Sequence, residues 1–337
     1  MLKNNPASIK NFNTFGFDIQ AENLIVIQSE KELIENFEHH NINANSRIIS
    51  GGSNILFTQN VEGTLLKNEI EGIEIVAETD ETVDIAFGGG ENWHKIVLYC
   101  VDKNWGGLEN LSLIPGCVGA SPIQNIGAYG SEIKDTFQWL KAFNLKTGEF
   151  KLFNHAQCNF GYRDSYFKNE GRNTYFITQV CFRLSKNPKT NVQYGDIQAI
   201  LDSKGITNPT IKNVSDAIIE IRQSKLPDPK VLGNCGSFFK NPVISISHFE
   251  KIKATHPTIK SFPVSDTEIK VPAGWLIEQA GWKGKKMGNV GVHEKQALVL
   301  VNYGEGTGLE IKNLAQSIQK DILEKFTIAL EIEVNIW

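Results

Sequence analysis

One serine of the chain lies between glycines and phenylalanines, in the stretch GNCGSFFKNP at residues 233–242. Ser237 follows two glycines and Cys235, and no histidine nearby in sequence could serve as the base of a nucleophilic serine. The residues alone favour a buried serine in a turn. Flanking glycines also let a backbone approach a ligand closely, so a hydroxyl with a chemical role is the alternative.

Two glycine-rich stretches could hold a phosphate group, SGGSN at 50–54 and LIPGCVGASPIQNIGAYG at 113–130. Neither a GxGxxG fingerprint nor a GxxxxGK[ST] P-loop occurs, so a Rossmann site and a P-loop site are both unsupported. Glycine lets backbone N–H groups turn towards an anion, and such a nest binds a pyrophosphate without a lysine. The short stretch alone is typical of an ordinary loop, whereas the long uncharged one needs a reason to be ordered.

Charged and metal-binding residue types give weaker signals. Arg163 is followed by Asp164, and a surface ion pair between the two is the simplest interpretation. Glu331 and Glu333 fall on one face of the alternating final segment, which is typical of solvent exposure as well as of a site. The seven histidines and five cysteines show no metal-ligand spacing and no CxxC pair, so no metal site is predicted.

The elements that must position these residues alternate between strands and helices. Hydrophobic patterns predict strands at 23–28, 47–49, 55–57, 82–87 and 328–337, and a hairpin over 139–153 that turns at Thr147-Gly148. Helices are predicted after a capping box of Ser29 and Glu32, after Asn92, and over 214–225 and 308–326.

Composition describes a folded protein of 337 residues, with 41% hydrophobic and 21% charged residues and a net charge of −4. Its length predicts two or three domains, and its mild negative charge argues against a nucleic-acid or membrane-surface partner. No run of about 18 apolar residues and no signal peptide is present, so a cytoplasmic protein is expected. Scattered cysteines in odd number fit a reducing compartment.

A series of motifs in one order resembles the UDP-N-acetylenolpyruvoylglucosamine reductases, flavoenzymes of bacterial cell-wall precursor synthesis. The motifs are NTFG at 13–16, GGSN at 51–54, GENWH at 90–94, GLENLSLIPGCVGASPIQNIGAYG at 107–130, GYRDSYFK at 161–168, KLPDPKVLGNCGSFFKNP at 225–242, AGWLIEQ at 273–279 and LEIEV at 330–334. The GYRDS element, with QYGD at 193–196, points to the longer of the two types in this family.

The resemblance implies an α+β fold with an FAD-binding domain of the vanillyl-alcohol-oxidase (PCMH) type and an α+β substrate-binding domain. The FAD-binding domain would have two α+β subdomains, at 1–70 and 71–205, with the PCMH-type part at about 17–187. The substrate domain would cover 206–326, and a C-terminal strand at 327–337 would return to the FAD domain. The partner would be a nucleotide sugar, bound by a protein that is a monomer.

The resemblance also implies which residues contact the cofactor. FAD would lie against both glycine-rich stretches, at Gly51, Gly52, Ser53, Asn54, Ile114, Pro115, Gly116, Gly119, Ala120, Ser121, Pro122, Gln124, Asn125, Ile126 and Gly127. This suits the missing GxGxxG fingerprint, because that fold binds its dinucleotide through different loops.

The reaction that the resemblance implies is the reduction by NADPH, through FAD, of an enolpyruvyl ether on a UDP-sugar. Ser237 would protonate carbon, Arg163 would stabilise the charge that develops on the carboxylate, and Glu333 would be the third catalytic residue. Substrate would be bound by Tyr162, Tyr194, Lys225, Asn241 and Gln296.

Two positions depart from the family pattern, because Ile332 stands where proline is frequent and Asn335 where a flavin-contacting arginine is frequent. Two other functions stay open at this point. One is an oxygen-using flavo-oxidase of the same fold, and the other is a non-catalytic protein that binds flavin or a nucleotide sugar.

Overall fold

The computed structural model describes residues 6–194 and 196–337, so Gly195 of the QYGD motif lies outside the described residues. The chain folds into two units. The first comprises 6–8, Gln20–Gly52 and Val61–Ser224, and the second comprises Ile9–Ile19, Ser53–Asn60 and Lys225–Trp337. The domain limits given above for a cofactor and a substrate domain stay a prediction.

Among the described residues, the four predicted helices lie close to their predicted positions, and four further α-helices are present. The α-helices are α1 (Glu30–Glu38), α2 (Trp93–Asp102), α3 (His155–Cys158), α4 (Asp196–Ser203), α5 (Ile211–Lys225), α6 (Ile246–Thr255), α7 (Ala273–Gln279) and α8 (Gly308–Phe326), of which α1, α2, α5 and α8 are the predicted ones. Ser29 caps α1 by accepting from the Glu32 N–H, and Asn92 caps α2 in the same way, as their sequence signals predict. In the described part of the chain, no helix has both the length and the apolar character to cross a bilayer.

The strands form several small sheets rather than one large one. They are β1 (Ala7–Ser8), β2 (Gln20–Ile27), β3 (Arg47–Ile49), β4 (Ile55–Leu56), β5 (Val61–Asn68), β6 (Ile73–Glu78), β7 (Thr82–Gly88), β8 (Gly127–Ala128), β9 (Ser131–Glu132), β10 (Phe137–Asn144), β11 (Phe150–Asn154), β12 (Tyr175–Ser185), β13 (Gly233–Ser237), β14 (Val243–Ser245), β15 (Phe262–Pro263), β16 (Glu268–Lys270), β17 (Lys286–Met287), β18 (Val290–Val292), β19 (Val299–Asn302) and β20 (Asn335–Ile336).

The first unit contains two larger sheets. One has the order β1-β2-β5-β3, in which β2, β5 and β3 are parallel, and its core includes Leu33 of α1. The other is antiparallel with the order β11-β10-β12-β7-β6, and α2 packs on it. Trp93 of α2 is buried edge-on against Phe182 of β12, with 5.8 Å between the ring centroids. This contact fixes the first turn of α2 on the sheet.

The second unit packs α8 and α7 around the antiparallel sheet β13-β19-β18-β17. The apolar stripe of α8 is buried along its whole length, at Ile311, Leu314, Ala315, Ile318, Ile322 and Phe326. A smaller antiparallel sheet has the order β14-β16-β15, and β20 pairs in parallel with β4.

The prediction of one continuous strand over 328–337 is wrong. Regular pairing is confined to β20, and Ile332 forms an isolated bridge with Phe239. The reason is that the segment changes partner, since residues 331–333 bond to 238–240 whereas Asn335 bonds to Asn54. The predicted inward face is nevertheless present, because Ile328, Leu330 and Val334 are buried in the core.

Candidate functional site

The long glycine-rich stretch is held by the N-terminal end of α2 and the residues before it. The indole Nε1 of Trp93 donates to the Leu111 carbonyl at 3.0 Å, and the Trp93 backbone N–H donates to the Gly116 carbonyl at 3.1 Å. The backbone N–H groups of Val118 and Gly119 donate to the carbonyls of Glu91 and Gly89. These hydrogen bonds therefore fix the backbone of residues 111–119 against α2 and the residues before it.

The two glycine-rich stretches meet at Gly51 and Gly116. A methyl group on Gly51 would lie 2.9 Å from the Cα of Gly116, which is closer than side-chain carbons approach. Gly116 itself has a φ of +113°, a backbone region that favours glycine. Both positions thus need glycine, and the backbones form a narrow cradle that side chains would fill.

Side chains of the long stretch divide into structural and accessible groups. Ser121 is buried and donates to the Val118 carbonyl, while Asn125 is buried and donates to the Gly161 carbonyl and to the Glu132 carboxylate. Gly119, Pro122 and Gly127 are also buried. The residues that keep exposed surface are Ile114, Pro115, Gly116, Ala120, Gln124 and Ile126.

Arg163 projects from a tight turn towards this stretch. Gly161 and Asp164 exchange backbone hydrogen bonds around it, and Arg163 has the left-handed φ of +53°. Its guanidinium donates to the Gly127 carbonyl at 2.5 Å and lies 5.5 Å from the centre of the Tyr162 ring. The Asp164 carboxylate accepts from Asn169. The turn therefore aims Arg163 at the glycine-rich stretch.

A second arginine beside Arg163 was not predicted from the sequence. Arg222 of α5 hydrogen-bonds the Tyr129 side chain, and its Nε is one of two buried side-chain N or O atoms without a hydrogen-bond partner in the described residues. Burial lowers the pKa of Arg222, and the charge of Arg163 adds to that effect. An arginine four residues after the buried Ile218, on the apolar stripe of its helix, is the signal that could have found it.

The predicted residues Tyr162 and Tyr194 lie in the same region of the first unit. Both side chains are partly exposed, at 37% and 41%. The Tyr194 ring packs edge-on against Tyr129, with 6.2 Å between centroids, and Tyr129 contacts Arg222. Lys225 is the exposed last residue of α5, one turn beyond Arg222. Tyr194 and Arg222 thus both contact Tyr129, which belongs to the glycine-rich stretch.

In the second unit, Ser237 ends β13 with its side chain exposed, so the buried turn serine that the residues alone favour is wrong. Phe238 and Phe239 are fully buried after it, and Cys235 is buried before it. Pairing between β13 and β19 is irregular from Asn234 to Ser237, where Gly236 has a φ of +73°. Such a bulge re-aims a side chain, and here it turns the hydroxyl outwards while the phenylalanines anchor the strand.

Glu333 lies beside this serine through backbone pairing. The Glu333 N–H donates to the Phe238 carbonyl at 2.9 Å, and the Lys240 N–H donates to the Glu331 carbonyl. The carboxylate of Glu333 helps burial to raise the pKa of the Cys235 thiol, which places that charge near β13. The Glu331 carboxylate forms an ion pair with Lys240 instead.

Asn241 and Gln296 meet at the start of α7. The Asn241 Oδ1 accepts from the Ala273 N–H at 2.9 Å, and the Gln296 Oε1 accepts from the Leu298 N–H at 3.3 Å. A methyl group on Gly274 would lie 3.1 Å from that Gln296 oxygen. Both amides are thus oriented through their oxygens.

Ser53 and Asn54 of the short glycine stretch belong to the second unit, and Asn335 holds them. The backbone N–H and the side-chain amide of Asn335 both donate to the Asn54 carbonyl, at 3.1 and 3.2 Å. Asn335, which departs from the family pattern, thus binds the backbone of the short glycine stretch.

Comparison with known proteins identifies the family of the chain. Residues 22–153 match the model of an FAD binding domain, and residues 228–337 match that of the UDP-N-acetylenolpyruvoylglucosamine reductase C-terminal domain. The UDP-N-acetylenolpyruvoylglucosamine reductase of Flavobacterium johnsoniae is 52% identical over 98% of both chains. The chain belongs to the UDP-N-acetylenolpyruvoylglucosamine reductase family.

The fold of this reductase family member is similar to that of solved structures. The reductase of Thermus caldophilus aligns over 100% of both chains with a TM-score of 0.69 at 20% identity. The 4-ethylphenol oxidase of Gulosibacter chungangensis aligns over 98% of this chain and 84% of its own, with a TM-score of 0.50 at 11% identity. The predicted fold class, an α+β protein with a PCMH-type FAD-binding domain, is confirmed.

The residues present fit FAD. The absence of side chains at Gly51 and Gly116 lets a pyrophosphate approach the backbone, and the partly apolar edge at Ile114 and Ile126 suits a flavin ring. The reductase family is FAD-dependent and uses NADPH as reductant, so both predicted cofactors are confirmed.

The first prediction tests the cradle through Gly51→Ala. We expect this variant to purify with less than about a tenth of the wild-type FAD, because its methyl group would displace the backbone at Gly116 and overpacked sites cost about 1–3 kcal/mol. Flavin absorbance per protein is the measurement. Gly63→Ala is the control, since a methyl group on Gly63 would meet open space, and full flavin content in both variants would contradict the cradle.

Proposed function

We propose that this chain performs the reaction of its family with Ser237, Arg163 and Glu333 at the reacting centre. The reaction reduces the enolpyruvyl group of UDP-N-acetylglucosamine enolpyruvate to the lactyl ether of UDP-N-acetylmuramate, for peptidoglycan precursor synthesis. Bound FAD supplies the hydride that reaches the terminal carbon, after receiving it from NADPH. The observation that carries the residue assignment is the pairing that sets Glu333 opposite Phe238, the residue that follows the exposed Ser237.

The substrate carboxylate needs a partner that stays positive during the reaction. Hydride addition to the terminal carbon of a C=C bond conjugated to a carboxylate pushes negative charge onto that carboxylate. Arg163 suits this role because a guanidinium binds a carboxylate through two N–H groups and keeps its charge. Arg222 adds a second guanidinium with a buried, unpartnered Nε, and we assign it to the same anionic group.

Ser237 would protonate the adjacent carbon. An alcohol is a weak acid in water, but an enolate carbon in contact with it is basic enough to take its proton. The outward position of Ser237, between residues buried on both sides, holds the hydroxyl in a defined place without a histidine partner. A hydroxyl used as an acid needs no base to activate it, so the role is consistent with the absence of a histidine near Ser237 in the sequence.

Glu333 would act next to the serine, as a half-buried carboxylate that orients the substrate or shares a proton with the enolate. Glu331 is excluded from this role because it is exposed and paired with Lys240. The remaining predicted substrate ligands are Tyr162, Tyr194, Lys225, Asn241 and Gln296. Lys225 suits a diphosphate, and the Asn241 and Gln296 amides keep their N–H groups for a ligand because their oxygens bind backbone.

The setting of the protein is part of the proposal. We assign it to the cytoplasm as a monomer that binds no nucleic acid. Its five cysteines are free, which suits a reducing compartment, and its net charge of −4 does not suit a polyanion.

An assay of NADPH oxidation with and without UDP-N-acetylglucosamine enolpyruvate tests the function. We expect rapid NADPH consumption only when the enolpyruvyl sugar is present, since the reduced flavin then has its proper acceptor. Fast reoxidation by air without the sugar would indicate an oxidase, and flavin binding without turnover would indicate a binding protein.

Ser237→Ala tests the proton donor. We expect flavin reduction by NADPH to stay within about threefold of wild type, whereas reoxidation by the enolpyruvyl sugar slows by about 10²–10⁴-fold, the usual value of positioned acid catalysis. Ser237→Cys should retain more activity, because a thiol is a usable acid of similar size. Stopped-flow measurement of each half-reaction decides, and equal slowing of both by the alanine change would make Ser237 structural.

Glu333→Gln and Glu331→Gln form a matched pair two residues apart on one strand face. Glutamine keeps the shape and hydrogen-bonding reach of glutamate but removes the ionisable group. We expect Glu333→Gln to lose at least about 100-fold in reoxidation by the sugar, with wild-type FAD content and melting temperature, and Glu331→Gln to stay near wild type because an exposed ion pair contributes little. Similar losses in both variants, or flavin loss in Glu333→Gln, would remove Glu333 from the catalytic residues.

A further inference from the structure

His94 is a half-buried histidine that has no part in the proposed reaction. Its side chain forms a hydrogen bond with the glycine-rich stretch. It follows Trp93 in the first turn of α2, and its Nδ1 accepts the backbone N–H of Leu113 at 3.0 Å. An imidazole nitrogen that accepts a hydrogen bond carries no proton, so the proton of a neutral His94 is on Nε2. This bond defines both the charge and the tautomer of the ring.

The residue that His94 holds has a strained backbone. Leu113 has a φ of +59°, in the left-handed region, which is unfavourable for a residue with a side chain. Ile114 and Pro115, the first residues assigned to the flavin, follow it at once. Trp93 contacts Leu111 and Gly116 through groups that do not titrate. Among these hydrogen bonds from α2 to the glycine-rich stretch, the one from Leu113 to His94 therefore depends on pH.

Three features of the site disfavour a proton on Nδ1. A cationic ring could not accept from Leu113. The positive end of the helix dipole lies at the first turn of α2, where a cation is unfavourable. Arg222, the charged group that acts on His94 from α5, repels a second cation, and together with burial it lowers the pKa of His94 from its ordinary value.

We propose that His94 is a positioning residue that fixes the start of the flavin-binding loop only as the neutral Nε2–H tautomer, and that its protonation releases FAD. The inference rests on the proposed contact between residues 114–127 and FAD. The loop bond is complete when the ring is neutral and is lost as the pH falls through the pKa of His94, which lies below the ordinary value for histidine. FAD affinity should therefore fall with acidification below that pKa, by up to about tenfold per pH unit.

The first test is the tautomer in the wild-type flavoprotein, by long-range ¹H–¹⁵N correlation of the histidine rings at pH 7.5. We expect His94, assigned by its disappearance in His94→Gln, to show an unprotonated Nδ1. A cationic ring or the Nδ1–H tautomer would overturn the proposal, even if the variant folded poorly.

The second test is the dissociation constant of FAD between pH 7.5 and 5.0, followed by flavin fluorescence. We expect wild type to weaken at least about tenfold and His94→Gln less than about threefold, because a glutamine oxygen can accept the Leu113 N–H and does not titrate. His39→Gln, at an exposed histidine after α1, should follow wild type. Parallel curves for wild type and His94→Gln would refute the role of His94, whereas absence of FAD binding at every pH would refute the proposed function instead.

Discussion

The support of residues 111–119 by the N-terminal end of α2 is the contact on which the rest of the first unit depends. A glycine-rich segment has high conformational freedom, and it forms an anion-binding nest only if other groups define its backbone. Here the indole of Trp93, its backbone N–H and the carbonyls of Gly89 and Glu91 define it. Trp93 can do so because it is buried against Phe182, so packing of α2 on the sheet is transmitted to the loop.

Two guanidinium groups interact electrostatically in the first unit. Arg163 and Arg222 repel each other, Arg163 donates to the Gly127 carbonyl, and Arg222 is hydrogen-bonded to the Tyr129 hydroxyl. An anionic substrate group near both would gain from both charges. A carboxylate in place of Tyr129 would neutralise Arg222 and remove that gain.

In the second unit, strand register decides whether Glu331 or Glu333 lies next to Ser237. The pairing of 331–333 with 238–240 sets Glu333 opposite Phe238 and therefore next to Ser237, while Glu331 reaches Lys240. The bulge before Ser237 and the burial of Phe238 and Phe239 hold this register, because a shift by one residue would exchange the faces on which the two rings pack. The packing of the core therefore also determines where Ser237 and Glu333 lie.

Much of this protein follows from the sequence by itself, because local patterns carry the relevant physics. The caps Ser29 and Asn92, the apolar stripe of α8 and the hairpin turn at Gly148 each involve residues a few positions apart, and each was correctly predicted. The motifs likewise identified the family and its cofactors. The tertiary structure alone decided what depends on distant partners. The final segment changes partner from 238–240 to Asn54, which no local alternation encodes, and the position of Arg222 beside Arg163 joins α5 to a turn 59 residues earlier. Burial and charge proximity arise only when such segments meet, so the roles proposed for Arg222 and His94 could be inferred only from the fold.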